Sequence, residues 1–173
     1  DPNEFYQIAQ TGQLYNTQAL PDCYYGEELG FMRNVANSSF RYSESIKQAY
    51  DSSSTDVAYP DTSLAEELAI VARLIKGNLG TKVYMVSIGG FDTHSEQDTR
   101  HPELMLELSE AISAFYTDIS NTNHNSKVLT ATFSEFGRRI YQNGSFGTDH
   151  GEGAPMLFFG DGLEGSAFLG DAP

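Results

Sequence analysis

LAEELAIVARLIKGNLGTKVYMVSIGGFDTH, residues 64–94, decides the fold, because two periodicities meet inside it. Leu64, Leu68, Val71, Leu74 and Ile75 recur at intervals of three and four, the spacing of one apolar helix stripe. Ser63 and Glu66 stand ahead of it as a capping box, and Gly77 and Gly80 offer exits. KVYMVSIGG, 82–90, then turns to β-branched and aromatic types over one strand length. The stretch predicts a helix followed by a strand.

Working outward, the same alternation repeats. Pro102 is placed for a first helical turn, HPELMLELSEAISAFYTDIS (101–120) reads as a helix, and KVLTATF (127–133) and APMLFFG (154–160) read as further strands. Strands separated by helices of this length imply parallel pairing through crossovers, and strands apolar on both faces imply a sheet covered on both sides. The expected fold class is therefore α/β, a mostly parallel sheet with helices on both faces, carried by residues 61–173. Residues 1–60 are rich in Tyr, Asn, Ser and Gln, with Leu29, Met32, Val35 and Ala36 at helical spacing. They predict a helical or irregular N-terminal part of the same domain.

The chain has 173 residues, 39% of them hydrophobic, which suits one domain with a sizeable core. Ten Lys+Arg against 24 Asp+Glu leave a net charge of −14, a balance that repels nucleic-acid phosphates and anionic lipid surfaces. A metal ion or a local arginine can still reverse that field inside a pocket. The single cysteine, Cys23, excludes an intrachain disulfide framework and a thiolate zinc cluster. No stretch reaches the roughly 20 apolar residues of a membrane span.

In open α/β sheets ligands collect beyond the carboxyl ends of the strands, and the polar motifs fall there. GGFDTH (89–94) follows the first predicted strand, SEFGRR (134–139) the second, and GTDHGEG (147–153) precedes the third. Two of the four histidines thus share nearly the same glycine–acid–histidine wrapper. Asp92 with His94, and Asp149 with His150, are candidate divalent-metal pairs; the alternative is a pair of Asx-type polar turns. Glu135 could complete the ligand set or pair with Arg138 or Arg139. Arg138 is the candidate anion-binding residue, through its planar fork. His101 and His124 read as surface residues, Glu96 and Asp98 as loop residues, and Phe115 and Tyr116 as core.

Taken in order, LAEELAIVARLIKGNLGTKVYMVSIGGFDTH, HPELMLELSEAISAFYTDI and SEFGRRIYQNGSFGTDHG resemble the DUF1501 proteins, bacterial proteins of uncharacterised function similar to the alkaline phosphatase and sulfatase superfamily. The resemblance implies an alkaline-phosphatase-like fold with divalent ions (zinc, calcium or manganese) held by Asp and His from several loops, beside a Ser or Thr nucleophile. It would make Asp92 and His94 ligands and put Glu135 at the superfamily's aspartate position. Phe136 falls at a histidine position and cannot bind a metal. His150 resembles the late lone histidine, with Asp149 either joining it or orienting its ring.

The superfamily's first metal carboxylate and nucleophile lie on early strands, and no such motif precedes residue 82. The chain therefore reads as the C-terminal portion of a longer member, completed by the missing N-terminal part or by another chain. The implied activity is hydrolysis of a small anionic ester or of a sulfated or phosphorylated polymer, in a periplasmic or extracellular protein. The alternative is an exported, non-catalytic binding or structural protein that keeps the fold and one metal.

Overall fold

A computed structural model describes residues 1–120, 122 and 127–164 of the protein. Among the described residues four helices dominate: α1 (Pro2–Thr11), α2 (Tyr24–Asp51), α3 (Ser63–Lys76) and α4 (Gln97–Ser120). Four two-residue strands follow: β1 (Thr130–Ala131), β2 (Gly137–Arg138), β3 (His150–Gly151) and β4 (Phe158–Phe159). β1 pairs with β4 and β2 with β3, both antiparallel. The chain divides into two compact units: Asp1–Thr55 with Arg73–Lys82, and Asp56–Ala72 with the described part of Val83–Pro173.

In the first unit, the Asp1 carboxylate accepts the Asn3 N–H at 2.7 Å and Pro2 opens α1, a standard helix start. The buried Asn37 amide of α2 accepts from Tyr15 N (2.7 Å) and donates to Tyr15 O (2.9 Å). One side chain thereby satisfies both backbone groups of a loop residue that has no ladder to join.

In the second unit, α4 buries Leu104, Leu108, Ala111, Ile112, Phe115 and Ile119, the stripe its three-and-four spacing predicts. Tyr116, beside that stripe, donates to Phe159 O (2.7 Å) and shares a hydrogen bond with Thr130 Oγ1 (2.9 Å), which ties α4 to both strands of the β1–β4 pair. Ahead of α3, Tyr59 donates to the buried Asp118 carboxylate at 3.1 Å.

Two helix starts differ from the sequence reading. The α3 cap is Thr62 rather than Ser63: its hydroxyl accepts Ala65 N (3.3 Å) and its carbonyl accepts Glu66 N (3.0 Å). α4 begins at Gln97, so Pro102 lies inside the helix instead of in its first turn. Glu96 takes a left-handed conformation (φ 51°), and its carbonyl receives Thr99 N and Arg100 N, starting the helix a turn early.

The larger correction concerns the sheet. The fold is not a mostly parallel sheet with helices on both faces; among the described residues the ladders are short, two-stranded and antiparallel. KVYMVSIGG joins no ladder among the described residues, and Val83 and Met85 stand 81% and 80% exposed. KVLTATF and APMLFFG each form a strand of only two residues and leave Leu129, Phe133, Met156 and Phe158 in solvent. β-branched composition favours extended backbone, but a strand exists only where a second backbone lies alongside to take its N–H and C=O groups. No helix among the described residues is long and apolar enough to cross a membrane.

Candidate metal centre

Backbone pairing builds the site before any side chain does. Thr148 N donates to Thr93 O (3.2 Å), Gln97 N to Phe146 O (3.0 Å) and Glu96 N to Ser145 O (3.3 Å), so residues 93–97 run beside 145–148. Gly147 permits this approach: a Cβ there would lie 2.2 Å from the His94 carbonyl carbon. On the other side, the β2–β3 register sets Arg138 opposite His150. Three segments distant in sequence therefore converge on one point.

At that point Asp92, His94 and His150 each offer a ligand atom, all within 4.8 Å of one another. His150 Nε2 lies 2.7 Å, and His94 Nε2 3.1 Å, from the same oxygen, Asp92 Oδ1. The two imidazole centroids are 4.9 Å apart. An ion bonded to nitrogen and oxygen at about 2.0–2.2 Å holds neighbouring donors about 3 Å apart, and the two distances to Asp92 Oδ1 are of that order. The three side chains are about half exposed, so the cluster is open to solvent.

The surrounding groups fix ring orientation. Asp149 Oδ1 lies 3.2 Å from His94 Nδ1, the nitrogen facing away from Asp92, so its partner is His94 and not the neighbouring His150. Asn143 Nδ2 donates both to Asp149 Oδ1 (3.0 Å) and to His94 O (2.9 Å). Carboxylates on the far nitrogen of a ligating histidine set its tautomer and raise its basicity. Phe136 stacks on His150, with centroids 4.5 Å apart and planes 9° from parallel, and its other neighbour is the Arg138 guanidinium at 5.0 Å. The residue that cannot bind a metal instead holds the ring of one that can.

Arg138 is largely buried, with 17% of its side chain exposed. Its Nη2 donates to Phe91 O and Asp92 Oδ1, both at 2.7 Å, and its Nη1 donates to Thr148 O. The hydrogen bond from His150 above all, then the positive charges around it, hold the Asp92 carboxyl below the ordinary carboxylate range. Asp149 is lowered too, first by its bond from Asn143 and then by His94.

The other sequence candidates are placed apart. Glu135 is exposed and stands outside the three-residue cluster. His101 packs edge-on to Phe91 at 5.8 Å, and His124 lies outside the described residues. Asn143 carries no sequence signal beyond the Asn-Gly turn pair at 143–144, because its role depends on a fold that brings Asp149 and His94 to its amide.

Comparison with known proteins adds one relationship. Neither the curated proteins nor the solved structures contain a match to the chain. A family model described as a protein of unknown function, DUF1501, matches residues 9–173. The chain belongs to the DUF1501 family.

Proposed function

We propose that this chain supplies the metal centre of a divalent-metal-dependent hydrolase acting on phosphate or sulfate esters. One observation carries the proposal: the ligand atoms of Asp92, His94 and His150 gather within 4.8 Å in a solvent-open site. Two imidazoles and one carboxylate favour zinc or manganese over calcium, which takes six to eight oxygens. The likeness of GGFDTH, SEFG and GTDHG to motifs of the alkaline phosphatase and sulfatase superfamily supports the ester class.

A bound divalent ion would neutralise charge on a non-bridging ester oxygen and lower the pKa of a nucleophile. The chain's own residues do the rest. Asp92 offers the hard oxygen donor, Asp149 and Asn143 hold His94, and Phe136 holds the plane of His150. Arg138 adds positive charge where an anionic group would arrive. The test is calorimetric titration with zinc, manganese and calcium, together with turnover of aryl phosphate and aryl sulfate esters. Binding with turnover is expected; neither would end the proposal.

A second reading, an exported binding or structural protein with one ion and no catalysis, is favoured by two observations. Glu135 stands away from the cluster, and Phe136 fills a potential ligand position with a stacked ring. Under it, Asp92→Ala with His150→Ala lowers thermal stability in the presence of zinc while no hydrolytic rate changes.

A further inference from the structure

Arg138 makes three contacts that belong to two different ligand loops. Its Nη2 reaches Phe91 O and Asp92 Oδ1 in the first, and its Nη1 reaches Thr148 O in the second. The strand that carries it pairs directly with the strand of His150. Its Nε is buried with no hydrogen-bond partner, so the side chain's hydrogen bonds run through Nη1 and Nη2 to these three oxygens, beside the Phe136 ring at 5.0 Å. An ammonium group on a flexible stem is a point donor and cannot span three oxygens from two segments in one plane.

We infer that Arg138 is the positioning residue of the metal centre, a staple that sets the separation of the Asp92 and His150 loops and aims the Asp92 carboxylate at the ion. This rests on the metal reading above and adds what makes the site preformed. Most of the fork is spent on the protein, so Arg138 acts through Asp92 more than by gripping a ligand. Partners of this kind typically change metal affinity by about ten- to a hundredfold when removed.

The experiment is titration with cobalt(II), followed by calorimetry and by visible absorption, which reports coordination geometry. It compares the wild-type chain with Arg138→Met, Arg138→Lys and, as a control at the next residue, the exposed Arg139→Met. The expected result is one ion in the wild type and about ten- to a hundredfold weaker binding in both Arg138 variants. The absorption of their bound fraction is expected to change as well, with Arg139→Met like wild type. Loss of folding alone would weaken binding but leave the spectrum of the bound fraction unchanged. If Arg138→Met does not fold, Arg138→Lys, which still fills the space with a cation, makes the comparison. Wild-type affinity and spectrum in a folded Arg138 variant would overturn the inference. Absence of cobalt uptake by the wild type overturns the metal reading itself and the inference with it, a result distinguishable from the wild-type titration alone.

Discussion

His150 Nε2 and Asp92 Oδ1 stand 2.7 Å apart across 58 residues of sequence, and that same oxygen also accepts from Arg138. One carboxylate oxygen is thus the meeting point of three segments. On the proposed metal reading, an ion would meet donors that this pairing has already brought together.

Asp92→Asn keeps the shape of this centre and removes its charge. Metal affinity is expected to fall by at least about tenfold, since the proposed ligand is a deprotonated carboxylate, while the helix content seen by circular dichroism stays at the wild-type level. Retained affinity would show that Asp92 is not a ligand.

Phe136→His exchanges the ring stacked 4.5 Å from His150 for one with nitrogen donors. Zinc affinity is expected to rise at least about tenfold as a fourth protein donor becomes available. Calorimetry against Phe136→Leu, which loses a ring contact worth about 0.5–1.5 kcal/mol and gains no donor, separates coordination from packing.

Gly147→Ala places a Cβ into the His94 backbone. The loops must separate, so stability is expected to fall by about 1–3 kcal/mol in urea denaturation, with metal binding weakened in parallel. Gly144→Ala, where a Cβ would meet nothing within 4 Å, is the control.

Tyr59 gives a pH signature through Asp118. Burial first, then the Asp118 charge and hydrogen bond, push its phenol well above the ordinary value of 10.0. The folded chain keeps a proton that the unfolded chain releases, so this contribution is complete below pH 10 and is lost as pH rises above it. Tyr59→Phe should be less stable at neutral pH by about 1 kcal/mol and lose this part of the alkaline dependence, as followed by thermal unfolding between pH 8 and 11. An unchanged alkaline limb in the variant would assign that limb to other groups.

The helices and the site were legible in the sequence to different degrees. The apolar spacing of 104–119 marked the buried face of α4, because helical hydrogen bonds close within four residues and the stripe is a local property. The two acid–histidine loops were likewise visible in the sequence as candidate donor segments, and the long ordered match to DUF1501 is a property of the sequence alone. Only the tertiary structure decided the rest. A strand depends on a distant backbone coming alongside, and KVYMVSIGG, extended by composition, finds no ladder among the described residues. That Asp149 serves His94, that Phe136 braces His150, and that Glu135 stands apart are equally consequences of which segments meet. Residue types and spacing determined which donors GGFDTH and GTDHG could offer; the pairing of 93–97 with 145–148, and of β2 with β3, decided which of them face one another.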